Sequence, residues 1–134
     1  MLKIYELSDM NPILVFIGGG LGAILRWSLG YVPFLKSSGI ITSTLVANLI
    51  AALLIGLSYR IVHQESSNPN NGLWLLIATG FCGGLSTFSS FSLESFRMLQ
   101  NQEWLQCLAY IALNVGLSLL LLIFAYQISE GWKG

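Results

Sequence analysis

Four long apolar runs, separated by short polar stretches, divide this chain, and each run has the length that crosses a bilayer. A membrane-spanning helix needs about 20 mostly apolar residues. The first run extends from about Pro12 to Val32 and carries one charge, Arg26. The second extends from about Gly39 to Val62 and is uncharged between Ser37 and Tyr59. A polar loop over residues 63–72 follows, and its Asn68-Pro69 and Asn71-Gly72 pairs are turn signals. The third run spans about Leu73 to Leu99, and the fourth, uncharged, spans Trp104 to Ile128. Trp74, Trp104, Tyr126 and Trp132 fall near run ends, where aromatic belts sit. The pattern predicts an all-α integral membrane protein: one domain over residues 1–134 with four transmembrane helices.

The third run departs from the others. Its centre reads Gly80-Phe-Cys-Gly-Gly-Leu-Ser-Thr-Phe-Ser-Ser-Phe-Ser-Leu-Glu94. Each glycine costs roughly 1 kcal/mol of helix relative to alanine, and the serines and threonine compete for backbone hydrogen bonds. The run is long enough to hold a break in the middle. Irregular backbone survives at membrane depth only where protein or a water-filled cavity covers it. An interrupted helix carrying hydroxyls and two phenylalanines therefore points to an ion or solute site. The competing reading is close helix packing, with Gly80 and Gly84 as a G-x-x-x-G pair.

Composition narrows the classes. Charged residues make up 9% of the 134 and net charge is zero, so no nucleic-acid footprint is present. Mean hydropathy is +0.72, far from that of a soluble domain. Cys82 and Cys107 lie inside apolar runs without C-x-x-C spacing, and His63 has no second ligand nearby. Neither a disulfide framework nor a zinc site is expected. Lys3, Glu6 and Asp9 mix signs ahead of the first run, unlike a cleaved signal. No Walker motif or nucleophile–base pair suggests an enzyme. Four spans would leave Lys3, Arg60 and Lys133 on one side and Lys36 and Arg97 on the other. Orientation follows Lys and Arg excess, and the excess is almost nil. Insertion both ways up, with antiparallel pairing across an isologous two-fold, is one expectation; a single fixed orientation is the other.

Polar residues inside the spans supply the candidate chemistry. Gly18 with Gly22, and Gly19 with Ala23, read as a close-packing face; the formal G-x-G-x-x-A match lacks the strand a nucleotide site needs. Arg26 needs an interior partner, water or a route to the interface, and in a vestibule it would favour anions. Thr44, Asn48, Ala52 and Gly56 form a small, polar stripe on the second span. Asn48 is either interhelical glue or a donor in a pathway. Tyr110, Asn114 and Ser118 recur every four residues on the fourth span, stacking donors along one face. No carboxylate lies deep in any span; Glu94 is late in the third, positioned to pair with Arg97 one turn on. Donors without carboxylates suit an anion, and ring edges of Phe88 and Phe91 would add to that preference. A faint echo relates Gly19-Gly20-Leu21 to Gly83-Gly84-Leu85, and Asn48 to Asn114, at nearly equal offsets; it reads as chance.

Three motifs carry a family resemblance. They are Gly-Gly-x-x-Gly-Ala-x-x-Arg-Trp ending at Trp27, Thr-Leu-x-x-Asn over Thr44–Asn48, and Gly-Phe-x-Gly-Gly-Leu-x-Thr-Phe-Ser-x-Phe over Gly80–Phe91. In this order the chain resembles the Fluc fluoride channels, the CrcB-type proteins, along essentially its whole length. The resemblance implies a dual-topology antiparallel homodimer in the bacterial inner membrane, with two pores that pass fluoride passively out of the cell. It implies Phe88 and Phe91 as ring edges, Asn48 as an amide donor, and Tyr110, Asn114 and Ser118 as a polar track. It also implies a structural sodium at the dimer interface, held by backbone carbonyls of Gly83 and Ser86. Asn114 stands where a small hydroxyl residue is expected, and Ser86 where threonine is common. A fluoride–proton antiporter is the closest rival and would need a titratable group at depth, for which only Glu94 qualifies. A small multidrug exporter needs a buried carboxylate in the first span, and none is there. A non-transporting assembly subunit would use the stripes as seams alone.

Overall fold

The computed structural model describes residues 10–37, 40, 42–65 and 71–131. Lys3, Glu6, Asp9, Trp132, Lys133 and the centre of the polar loop, which figured in the signal, belt and orientation arguments, lie outside the described residues. Among the described residues every regular element is helical. Helix α1 is Met10–Leu29, α2 is the short Pro33–Ser37, and α3 is Ser43–Glu65. The third run opens with α4 (Gly72–Trp74), widens into a π-helical stretch over Leu75–Cys82, returns to α5 (Gly83–Leu85), breaks, and resumes as α6 (Phe88–Gln100). The last run is α7 (Trp104–Ala112), a π-helical stretch over Leu113–Leu117, and α8 (Ser118–Gly131).

Three of these stretches are long and apolar enough to cross a membrane: Asn11–Leu29, Gly72–Gln100 and Trp104–Ser129. Within α3 the segment Ser43–Tyr59 is apolar but shorter. Helix α1 stops at Leu29 rather than running on to Val32, because a turn forms ahead of Pro33: Gly30, Tyr31 and Val32 N–H groups bond to the carbonyls of Trp27, Ser28 and Leu29. Proline lacks the donor a continuing helix needs but starts a new one readily, and Pro33 opens α2.

Close backbone approach sets the packing. Helix α1 lies along the first half of the third run, and α3 lies along α8. A Cβ on Gly18 would strike the Leu76 carbonyl oxygen, one on Gly22 the Phe81 carbonyl oxygen, and one on Gly84 the backbone of Gly19. Gly18 and Gly22 thus lie on the close-packing face expected of them, and Gly80 and Gly84 pack closely as the competing reading of the third run had it. Membrane helices associate through such contact because lipid provides no hydrophobic drive between them. Gly56 plays the same part on α3, where a Cβ would meet the Leu122 carbonyl oxygen at 2.5 Å. Gly83 differs: the nearest atom to its Cβ would be the Ala78 carbonyl oxygen at 3.9 Å.

Two apolar clusters flank the break. Ala47, Ala51, Cys82 and Leu85 are buried on one side of it, and Leu45, Met98, Cys107 and Tyr110 on the other. A three-residue turn joins α6 to α7. Gln102 takes φ 62° there, and the Glu103 N–H reaches back to the Met98 carbonyl at 2.9 Å. The short connection makes α6 and α7 antiparallel neighbours and brings the fourth run back past the break.

Candidate functional site

The break is two residues wide. Ser86 (ψ 151°) and Thr87 (φ −151°, ψ 117°) are extended, so the chain leaves one helix axis and rejoins another. Local chemistry holds both ends. Ser86 ties off α5 by donating its N–H (2.9 Å) and its hydroxyl (2.8 Å) to the Cys82 carbonyl. Thr87 caps α6, its Oγ1 accepting from the Ser90 N–H at 3.2 Å. Threonine is among the residues preferred at that position.

Breaking the helix redirects donors. In a continuous helix the Thr87 N–H would go to the Gly83 carbonyl, and the Ser90 N–H to that of Ser86. Here the Thr87 N–H donates to Asn48 Oδ1 at 2.9 Å, and the Ser90 N–H turns to its cap. The carbonyls of Gly83 and Ser86 are released together. Two neutral carbonyl oxygens at a helix C-terminus are the donor set a hard monovalent cation takes, so these residues fit the sodium that the resemblance implies.

Asn48 links the second span to the fourth as well as to the third. Its Nδ2 donates to Asn114 Oδ1 at 3.0 Å, and Asn114 Nδ2 donates to the Tyr110 carbonyl at 3.2 Å. Asn114 lies in the π-helical stretch Leu113–Leu117. In an α-helix, residues four apart advance slightly past a full turn. The wider π turn offsets that drift and keeps Tyr110, Asn114 and Ser118 on the inward side. Such π segments are frequent at functional sites.

These residues ring a cavity of about 360 Å³, lined by Asn48, Ser86, Thr87, Phe88, Phe91, Asn114 and Ser118 with Ala51, Ala52, Ile55, Val115, Leu119 and Leu122. No charged side chain stands on that wall among the described residues. Ser118 Oγ is buried with no hydrogen-bond partner among them. The Phe88 and Phe91 rings lie 5.6 Å apart at 46°, and Phe91 sits 5.6 Å from the Tyr110 ring at 34°. Phe88 is 79% exposed in the single chain, so the cavity mouth is open on that side.

A second cluster adjoins the first beyond Phe91. Tyr110 is fully buried, and its hydroxyl donates to Glu94 Oε2 at 2.5 Å. Thr44 Oγ1 donates to Glu94 Oε1 at 2.6 Å, and Thr42 lies 3.3 Å from the Tyr110 hydroxyl. The expected Glu94–Arg97 pair is corrected by this arrangement. Both carboxylate oxygens face hydroxyls from α3 and α7, while Arg97 is exposed. Charge-assisted hydrogen bonds inside the bundle win over an exposed pair one turn away. Tyr110, expected in file with Asn114 and Ser118, belongs to this cluster and does not line the cavity.

Of the other sequence-derived candidates, Ser86 lines the cavity, whereas Gly83 is exposed beside it. Arg26 is in the last turn of α1, an element that contributes nothing to the cavity wall. Thr87 and Thr42 were not singled out. Thr87 was detectable as a hydroxyl ahead of a helical restart, while nothing in the sequence marked Thr42.

The model of the family described as "CrcB-like protein, Camphor Resistance (CrcB)" matches residues 13–126 of this chain. The chain belongs to the CrcB-like family. Proteins named fluoride-specific ion channel FluC resemble it over most of their length. That of Serratia proteamaculans is 40% identical over 119 residues, covering 85% of this chain and 89% of the relative. That of Pyrococcus furiosus is 40% identical over 124 residues, covering 91% and 98%. That of Gloeothece citriformis is 39% identical over 107 residues, covering 79% and 85%. The matched segment of this CrcB-like chain takes in every cavity residue. Its apolar helices make it a multi-pass membrane protein.

Proposed function

We propose that this protein is a fluoride-selective channel, not an enzyme, that lets fluoride leave the cell passively. The observation that carries the reading is the cavity beside the broken third span. Its polar side chains are Asn48, Asn114, Ser118, Ser86 and Thr87, all neutral; Asn48 keeps a spare amide hydrogen, and the hydroxyl of Ser118 is buried without a partner among the described residues. The relatives' printed name, fluoride-specific ion channel, agrees with it. A small, hard anion is strongly hydrated and enters only where several donors replace its water. Amide N–H groups, hydroxyls and the N-terminus of α6 supply such donors, and the electropositive edges of Phe88 and Phe91 extend them. Chloride is larger and accepts weaker hydrogen bonds, so the same donors favour it less.

The channel is assembled from two antiparallel copies, and each chain crosses the bilayer four times. Helix α3, at 23 residues, is about 34 Å long, enough to span the hydrocarbon even though its apolar part is shorter. Phe88 (79%) and Phe96 (54%) leave one face of α6 exposed beside the open cavity mouth, which a second copy would close. The near balance of Lys and Arg supports insertion in both orientations. A structural sodium at the two-fold would be held by the released carbonyls of Gly83 and Ser86, neutralising the carbonyl dipoles where the two breaks meet. The expected setting is the bacterial inner membrane.

Fluoride efflux from liposomes containing only this protein tests the reading, with chloride as comparison and no imposed proton gradient. Fluoride should leave and chloride should stay. Efflux that requires a proton gradient would favour the antiporter, and vesicles tight to fluoride would end the channel reading.

A further inference from the structure

Asn48 is the donor that the second span brings to the cavity, and an asparagine amide is useful to an anion only in one of its two orientations. Rotating it by half a turn exchanges an oxygen for an NH₂. Both ends of the hydrogen-bond chain through Asn48 are backbone groups of fixed sense. At one end the Thr87 N–H can only donate, so it requires the oxygen of Asn48. At the other end the Tyr110 carbonyl can only accept, so it requires the NH₂ of Asn114. The link between the two amides, Asn48 Nδ2 to Asn114 Oδ1, is then the only one compatible with both ends.

We infer that Asn114 is a positioning residue that, together with the Thr87 N–H, fixes the orientation of the Asn48 amide, so that both amide oxygens are occupied inside the protein and Asn48 turns an N–H to the cavity. The Asn48 nitrogen keeps a second hydrogen after its bond in the chain is made. Ser118 Oγ, without a partner among the described residues, stands on the same wall, and the two amides present no free oxygen to it. An amide pair oriented in this way favours an anion over a cation of the same size without any formal charge. The inference rests on the fluoride-channel reading above and assigns Asn114 an action through Asn48.

A double-mutant cycle on the full-length protein in liposomes tests it, comparing fluoride efflux for wild type, Asn48→Ala, Asn114→Ala and the double variant. Asn114→Ala should slow efflux about tenfold in the wild-type background and less than about twofold once Asn48 is alanine. Effects that multiply would mean that Asn114 acts independently of Asn48 and would overturn the inference, as would an Asn114→Ala protein conducting like wild type. Asn114→Ser is the second variant, needed where alanine does not fold. Its hydroxyl can donate to the Tyr110 carbonyl and accept from Asn48, so efflux should stay within about threefold of wild type. A tenfold loss in folded Asn114→Ser overturns the relay. Wild-type vesicles that hold fluoride would defeat the functional reading itself, a result distinct from all of these.

Discussion

Asn48 Oδ1 accepts the Thr87 N–H at 2.9 Å, so a side chain of the second span mends the gap in the third. A main-chain donor stranded at membrane depth would otherwise have no partner. Asn48→Leu, close in size, should therefore cost about 1–3 kcal/mol through the orphaned N–H alone. Thermal unfolding in detergent should fall, and fluoride efflux should drop with it. Unchanged melting would mean that Thr87 finds another acceptor.

Glu94 offers two carboxylate oxygens to two hydroxyl donors, Thr44 and Tyr110. Glu94→Gln replaces one charged oxygen by an NH₂, so one hydroxyl must turn from donating to accepting and both bonds lose their charge assistance. The expected loss is about 1–3 kcal/mol, larger than for an exposed glutamate. Thr44→Val in that background should deepen the loss, because a methyl gives the new NH₂ no acceptor. The four melting temperatures of that cycle check the coupling.

Gly84 and Gly83 are neighbours with opposite surroundings. A Cβ on Gly84 would collide with the Gly19 backbone, whereas one on Gly83 meets nothing closer than 3.9 Å. Gly84→Leu should prevent α1 from docking and leave little folded protein. Gly83→Leu should keep the single chain's helices and damage what lies between chains: dimer mass by light scattering, bound sodium, and efflux. A Gly83→Leu dimer with normal sodium content would count against the proposed carbonyl site.

Ser118 keeps a buried hydroxyl that makes no hydrogen bond with the described residues. Removing such a group should leave stability unchanged or raise it by about 1 kcal/mol. If the hydroxyl serves a passing anion, Ser118→Ala should nevertheless slow fluoride efflux several-fold. Flux would then fall with no fall in melting temperature, an outcome a purely structural serine would not produce.

The amino-acid sequence by itself determined the class and the place of the site. Apolar runs of bilayer length make a membrane protein, because no other fold satisfies so much backbone away from water. The glycines and hydroxyls between Gly80 and Phe91 made a break in the third run legible, since local helix propensity fails there however the chain packs. The close-packing glycines were legible for a similar reason, as a missing side chain marks its own contact.

Only the tertiary structure decided which polar residues act together. Periodicity assigned Tyr110 to a file with Asn114 and Ser118, yet its hydroxyl turned to Glu94, because a partner on a neighbouring helix outweighs a shared face. The echo that paired Gly19-Gly20-Leu21 with Gly83-Gly84-Leu85 and Asn48 with Asn114 proved to mark contacts: Gly84 packs on Gly19, and Asn48 bonds Asn114. Spacing along one chain cannot distinguish a repeat from two positions that meet. That distinction depends on how the helices cross, and the crossing is fixed by contacts between residues far apart in sequence.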